Sequence, residues 1–496
     1  LKRSAAVANR DAGLLDDNIA QYIVSACDKL SFKIDMSLFP TDTLQGGAGT
    51  SINMNVNEVV CNTALLIAGR RCGDYDFIDP LDHVNLNQST NDIFPTAVRI
   101  ASIKLIRKLS DGCAQLQTAL QAKEQEFAHI KKIGRTELMN ATEITLGEQF
   151  GSYAQCIARD RWRIYKAEER LRFINIGGAA VGKAANNKYV FRMTELIRKE
   201  SGIGLARAEY PMDITQNCDV FAEVSGLLKS LAVDLIKIAN DLRLMNAEFI
   251  GEVKLSPMQK GSTAMPGKVN PVIPEAVIQA AVKAISNDTA VTYASSMGNF
   301  ELNAFMPLIA DSFIDSLKIL TGAVLTFTEK CVKILTADKN ACGYHLEHSR
   351  AYAMKYVPVL GYEAVEKLLV ECENNKERFI ALADKRQRRM TMAKEKENKT
   401  NAMRILDKNK INYEVNTYEC DEFIDGVHIA DMLGQPYEST FKTLVTEGKT
   451  KNYYVFAIPI ALELDMKKAA KAVGEKSIEM VHVKDINAVT GYIRGG

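Results

Sequence analysis

Long apolar runs are missing from this chain of 496 residues. No stretch approaches the roughly 18 consecutive apolar residues that a membrane-spanning helix needs. No basic-then-apolar leader opens the chain either, so a cytoplasmic protein without membrane partners is expected. An excess of charge of one sign is also missing. The 62 Lys and Arg against 61 Asp and Glu leave a formal charge of +1, which excludes a global attraction to nucleic acid or membrane. Ten cysteines include no Cys-x-x-Cys pair, which points to free thiols in a reducing compartment, not to a disulfide framework or a zinc site. The six histidines show no ligand spacing; His345 and His348 form an isolated pair expected on a solvated helix face. No metal and no cofactor is therefore expected. The chain opens at Leu1 within a helical pattern, so its start is expected to be cut.

What is present is concentrated at residues 261–271, Gly-Ser-Thr-Ala-Met-Pro-Gly-Lys-Val-Asn-Pro. A hydroxyl (Ser262), a cation (Lys268) and an amide (Asn270) fall within nine residues. Flanking glycines and Pro266 keep the stretch out of a helix. It reads as a polar loop, followed by a helix from about Pro274, that can close over an anion and set an oxygen beside it.

From about Ile93 the apolar pattern becomes long and helical. Val220, Phe221, Val224, Leu227, Leu228, Leu231, Leu235, Ile238 and Leu242 mark a broad stripe at spacings of three and four within residues 214–246. Ala232, Val233, Ile236 and Ala239 widen it beyond one face, so several neighbours must bury this helix. Residues 97–128, 145–171, 272–293 and 304–336 also predict long helices. Residues 341–383 form a smaller helical unit, with an amphipathic helix over 362–372. Residues 384–399 are densely charged and suit an exposed linker. Beyond them the pattern turns α/β. It predicts a short helix over 401–410, a strand over 413–418, and apolar β-rich runs at 441–445 and 453–459.

Three segments carry a resemblance to the aspartase/fumarase superfamily: the 261–271 loop, residues 46–62 (Gly-Gly-Ala-Gly-Thr-Ser-Ile-Asn-Met-Asn-Val-Asn-Glu-Val-Val-Cys-Asn) and residues 83–97 (His-Val-Asn-Leu-Asn-Gln-Ser-Thr-Asn-Asp-Ile-Phe-Pro-Thr-Ala). A fourth, Gly134-Arg135-Thr136 with 145–150, matches with changes. Residues 268–275 and 287–292 resemble the ammonia-eliminating aspartate branch, whereas 298–303 are closer to the fumarate hydratases. Residues 392–496 resemble the YbaK/prolyl-tRNA-editing deacylase family, without the glycine loop that follows Gly495-Gly496 there, so this unit is expected to be inactive or incompletely folded. The resemblances imply a mainly α lyase with a long central helix bundle, followed by a partial α/β unit. Its parts are an N-terminal domain (1–95), the bundle with its catalytic loop 256–271 (96–340), a small helical domain (341–383), the charged linker (384–399) and the partial editing unit (400–496). They also imply a homotetramer with sites shared between subunits, and a dicarboxylate or amino-acid substrate.

Eliminating ammonia or water from a succinate skeleton removes a proton beside a carboxylate. The site must supply a base and gather positive or hydrogen-bonding groups around the resulting anion. The resemblance makes Ser262 that base, with Lys268 and Asn270 holding a carboxylate. Thr50, Ser89, Thr90 and Asn91 match carboxylate-binding positions, and Thr136 a position near the leaving group. Read from the residues alone, Ser89, Thr90, Asn91 and Asp92 also make a helix N-cap cluster. Both readings hold together, because helix N-termini attract anions. Glu137 stands where relatives carry histidine or glutamine, and the family pairs that position with the one matched by Glu275. Two carboxylates there would repel unless one keeps its proton or a cation such as a substrate ammonium joins them. Residues 246–257 replace the family's usual Gly-Pro-Arg approach to the loop. Lys442 matches the deacylase lysine that would hold an aminoacyl-tRNA ester or phosphate, so tRNA is a partner only through this unit. The expectations are thus an aspartate-eliminating lyase, a fumarate hydratase, an RNA-related editing protein acting through residues 392–496, or a non-catalytic relative of the lyases.

Overall fold

The computed structural model describes residues 1–183, 186–397, 399–415 and 426–491, with the backbone alone over 392–397. The chain divides into two compact units, Leu1–Asp384 and Lys385–Gly496.

In the first unit, α1 (Lys2–Asp11), α2 (Asp17–Phe32) and α3 (Thr50–Ile67) pack around Ile23, Cys61, Ala64 and Leu65. Five long helices follow in the wider unit: α4 (Thr90–Glu126), α5 (Leu146–Leu171), α8 (Asp219–Asn246), α9 (Val272–Ser295) and α10 (Met306–Phe327). Between α4 and α5 lies a hairpin of β1 (Lys131–Thr136) and β2 (Met139–Thr145). Between α5 and α8 come β3 (Phe173–Ile174), α6 (Asn187–Ser201), β4 (Ala206–Arg207) and α7 (Asp213–Gln216). The short strand β5 (Val253–Lys254) pairs antiparallel with β6 (Thr336–Ala337).

Side-chain pairs fix the helix directions. Arg107 of α4 meets Glu168 of α5, so these two run antiparallel, as the stacking of Gly151 on Glu124 confirms. Tyr153 bonds Asp241 while Arg170 pairs with Glu223, so α5 and α8 are also antiparallel. Lys229 pairs with Asp288 and Arg243 faces Glu275, which reverses α9 against α8. Phe221 meets Phe313 edge to face near the starts of α8 and α10. One end of the bundle therefore holds the starts of α4, α8 and α10; the other holds the hairpin, the end of α8 and the start of α9.

The α8 stripe is buried from Phe221 through Met245, as its periodicity predicts. The predicted helix over 214–246 is broken at Asn217 and Cys218, where the chain leaves helical geometry between α7 and α8. The predicted 304–336 helix ends at Phe327 in a wider turn, Thr328–Val332. Helix α4 starts at Thr90, earlier than its pattern suggested, and carries Pro95 inside. Proline cannot donate to the carbonyl four residues back. The Asn91 carbonyl instead accepts from Asn175 Nδ2 at 2.9 Å.

The first unit continues through α11 (Lys339–Glu347), α12 (Ala351–Met354), α13 (Val357–Leu360) and α14 (Tyr362–Glu371), with a small core of Tyr356, Leu368, Cys372 and Phe379. His345 Nε2 lies 2.8 Å from the Ile250 carbonyl, and His348 Nδ1 2.8 Å from that of Tyr344. Helix α15 (Lys376–Glu397) runs through most of the charged stretch expected as a linker. Its Lys, Arg, Glu, Gln, Met and Ala are strong helix formers, and no Gly or Pro interrupts them.

In the second unit, α16 (Asn401–Lys408) and α17 (Gly426–Met432) precede β7 (Phe441–Gly448), β8 (Tyr453–Pro459), α18 (Met466–Ala472), β9 (Ile478–Met480) and α19 (Ile486–Thr490). The sheet order is β8–β7–β9, all antiparallel. The strand expected over 413–418 does not form at 413–415, and its remainder lies outside the described residues.

Candidate functional site

The candidate residues gather in two places, at opposite ends of the bundle. The first is the start of α4. Ser89 caps the helix: its Oγ accepts from Asn91 N at 3.2 Å, and Asp92 Oδ1 returns a bond to Ser89 N at 3.0 Å. Asp92 Oδ2 accepts from Gly177 N at 3.0 Å. Burial pushes the Asp92 carboxyl up to about 7 despite these donors. Lys2, buried nearby, is pushed down to about 7, again by burial. Its Nζ donates to Asn85 Oδ1 and Gln88 Oε1. Thr90 Oγ1 accepts from the buried Asn53 Nδ2 at 3.2 Å, which leaves its own proton to be donated elsewhere. Asn91 Nδ2 donates to Ala180 O at 2.8 Å.

Thr50 is brought to this end by a glycine. Gly49 has φ +93°, and a Cβ there would lie 2.7 Å from the Phe94 ring. Only glycine lets the chain lie against that ring, and it delivers Thr50, the first residue of α3, beside the first turn of α4. Thr50 is exposed, and its Oγ1 donates to Gly47 O at 2.7 Å. The result is a row of hydroxyl and amide groups at the positive end of a 37-residue helix.

The second place is the far end. Thr136 closes the β1–β2 hairpin opposite Met139. The two turn residues, Glu137 and Leu138, have φ of 52° and 65°. Two positive φ values make a tight hairpin turn that holds Thr136 and Glu137 outward and exposed.

The loop of residues 256–271 emerges at the same end. Gly261 sits against the backbone of Lys268, where any Cβ would fall 2.1 Å from the Lys268 carbonyl oxygen. Asn270 Nδ2 donates to Gly261 O at 2.7 Å and ties the neck. Gly267, at φ +83°, makes the return. Inside this fold Ser262 Oγ accepts from Ala264 N at 3.1 Å and Met265 N at 2.9 Å. Residues 257–269 line an open pocket of about 1210 Å³ that includes Ser262 and exposed Lys268.

Two contacts bear on the expected site residues. Asn270 Nδ2 is engaged on the loop neck, donating to the Gly261 carbonyl. Glu275 faces the Arg243 guanidinium at 3.8 Å, while Glu137 sits at the hairpin tip. A cation from its own chain thus already attends Glu275. Lys442 is half-buried on β7, opposite Ile458. Pattern reading passed over Asn53 and Asn175, which buttress Thr90 and Asn91. Asn53 is one of several asparagines along α3, and Asn175 stands between two isoleucines just after β3.

The two places cannot meet within one chain. They are separated by the length of α4, about 55 Å at 1.5 Å per residue. A site combining them draws on more than one copy.

A bundle of long helices with a hydroxyl-lined helix start at one end and a Ser-Lys-Asn loop at the other offers groups that can hold an anion and take up a proton, as a lyase site requires. Residues 1–286 match the lyase family model, and the chain belongs to that family. Residues 427–496 match the aminoacyl-tRNA editing domain. The chain is 43% identical over 376 residues to an aspartate ammonia-lyase of a Bacillus species, covering 75% of this chain and 80% of that protein. It is 40% identical over 368 residues to the aspartate ammonia-lyase of Helicobacter pylori, covering 73% and 79%. Among solved structures it is similar to the fumarate lyase:delta crystallin of Brucella melitensis in native form, with TM-score 0.72 and 38% identity over 77% of this chain and 88% of that one. It is also similar to the recombinant class II fumarase of Schistosoma mansoni, with TM-score 0.71 and 28% identity over 77% and 85%.

Proposed function

We propose that residues 1–384 form an aspartate ammonia-lyase, a carbon-nitrogen lyase that converts L-aspartate to fumarate and ammonia. The observation that carries the mechanism is the pair of backbone N–H groups on Ser262 Oγ. A serine hydroxyl is a poor base; its alkoxide becomes accessible where fixed donors and a cation stabilise the charge. Ala264 N, Met265 N and the nearby Lys268 supply those groups. Ser262 takes the proton from the carbon beside one carboxylate. The electron pair of the broken C–H bond flows into that carboxylate, giving an aci-carboxylate held by Lys268. Collapse of this intermediate forms the C=C bond and breaks the C–N bond, and Thr136 attends the departing amine. Thr50, Ser89, Thr90 and Asn91 of another copy fix the other carboxylate. Asn270 joins the substrate by exchanging its bond to Gly261 O for a carboxylate oxygen, which links binding to closure of the loop.

The assembly that provides both ends is a homotetramer with shared sites. Exposed Trp162, Tyr165, Val233 and Tyr293 on α5, α8 and α9 supply apolar surface for it. The reaction needs no cofactor, and its setting is the cytoplasm. Ser262→Ala should lower kcat for aspartate by about 10²–10⁴-fold with the assembly intact. Retention of more than about a tenth of wild-type kcat removes Ser262 from the base role. Fumarate hydration remains the alternative within the class.

The editing-domain match carries a second reading: Lys442 holds an aminoacyl-tRNA ester or phosphate. Hydrolysis of mischarged tRNA by the full chain, lost in Lys442→Ala, would support it. Equal hydrolysis by both would remove Lys442 from that role.

A further inference from the structure

Beneath the hairpin lies a charged cluster that the elimination chemistry does not use. Glu252 is 0% exposed, yet its carboxylate is paired with Lys132 Nζ and with an Arg135 guanidinium nitrogen, each at 2.8 Å. Lys132 is itself buried and donates to Gln149 Oε1 of α5 at 2.8 Å. A regular strand turns residues three apart to opposite faces. Here the register of the hairpin slips between Ile133 and Arg135. The added local twist lets both long side chains reach one carboxylate.

The position of the cluster gives it meaning. Arg135 directly precedes Thr136. Glu252 lies four residues before the loop of 256–271. The chain between α8 and that loop is also attached by the two-residue β5–β6 ladder, by the buried Val253, by His345 Nε2 on the Ile250 carbonyl, by Leu255 N on Asn246 Oδ1, and by a Lys254–Asp338 pair with an exposed lysine. Two-residue ladders and exposed ion pairs are weak restraints. A buried carboxylate shared by two cations is a stronger one, because removing it leaves the buried Lys132 ammonium without its counter-charge. The Glu252 backbone is held as well, its carbonyl accepting from Asp338 N at 2.9 Å.

We propose that Glu252 is a positioning residue for the elimination: its carboxylate clamps the root of the Ser262 loop to the hairpin that carries Thr136 and Glu137. It touches no substrate and acts through the geometry of both elements. The proposal rests on the lyase reading above.

The test compares wild type, Glu252→Gln and the double variant Glu252→Gln/Lys132→Met, which returns the net charge of the cluster to its wild-type value. Misplacing reacting groups by an ångström costs up to about 10²-fold, so Glu252→Gln should lower kcat for aspartate by about 10–100-fold with KM changed far less. In the double variant Tm should recover while kcat stays low. Limited trypsin digestion reads the loop independently of activity, through the exposed Lys260 and Lys268. Cleavage there should be several-fold faster in both variants. A kcat that recovers together with Tm assigns Glu252 to folding alone and overturns the proposal. So does a Glu252→Gln kcat within about twofold of wild type, or unchanged cleavage of the loop. If Glu252→Gln fails to assemble, Glu252→Asp carries the same test, since it keeps the charge but withdraws it by one methylene. Wild-type protein that releases no ammonia from aspartate refutes the lyase reading instead, and the clamp is then judged on the digestion alone.

Discussion

Two inactive variants should restore each other. Ser262→Ala removes the proposed base at one end of the bundle, and Thr90→Val removes a hydroxyl at the other while keeping its shape. Helix α4 spans 37 residues between those ends, about 55 Å, far beyond the reach of one small substrate. In the proposed assembly each site therefore takes its Ser262 from one copy and its Thr90 from another. In tetramers formed by coexpressing the variants in equal amounts, half of the Ser262 contributions and half of the Thr90 contributions are intact. Random assembly then leaves about one quarter of sites with both, so roughly a quarter of wild-type activity should return. The assay is ammonia release from aspartate by mixed tetramers isolated through two different affinity tags, beside each variant alone. Activity no higher than the mean of the two parents would refute the reasoning. It would mean that both residues of a working site come from one chain, or that one of them is not in the site.

Glu137→Gln tests the substrate. If Glu137 receives the ammonium, losing a charge-assisted hydrogen bond of about 1.5–3 kcal/mol should lower kcat/KM for aspartate roughly 10–150-fold, with fumarate hydration much less affected. A kcat/KM within about twofold of wild type across the pH range rejects that role and weakens the case for aspartate over malate. A second expectation concerns pH and folding. Asp160 is fully buried on α5, and burial first, then the bond to and charge of Asp234, push its carboxyl up to about 7. The unfolded chain loses this proton near pH 4, whereas the folded chain keeps it to about 7. Stability is therefore full below the lower value and is lost as pH rises between the two. Asp160 also pairs with Arg163 at 2.8 Å, so the expectation is one of pH dependence: Asp160→Asn should favour the folded state more at pH 8 than at pH 4, read from denaturant midpoints. A gain that does not depend on pH would assign its effect to packing.

The helices were legible because their cause is local. The α8 stripe at spacings of three and four leaves no other way to bury Phe221 through Leu242. The Ser89–Asp92 capping box was legible for the same reason, since donor and acceptor lie three residues apart. Boundaries were less legible. Helix α4 was expected from residue 97, but it begins at Thr90 and accommodates Pro95 because Asn175, 84 residues from Asn91, takes the freed carbonyl. The charged stretch after Asp384 read as a linker, yet the residues that make it soluble also favour the helix α15.

Sequence alone determined the chemistry on offer: Ser262, Lys268 and Asn270 within nine residues, hydroxyls at a helix start, and a chain able to form long helices. Those features depend on neighbours along the chain. Only the tertiary structure decided where they stand. It set Thr90 and Ser262 at opposite ends of a rigid bundle, tied Asn270 to the neck of its own loop, and gave Glu275 a cation of its own. It also buried Glu252 between Lys132 and Arg135, more than a hundred residues away in sequence. Such pairings follow from which helices run antiparallel and which charges are forced out of water together, and no local pattern encodes them.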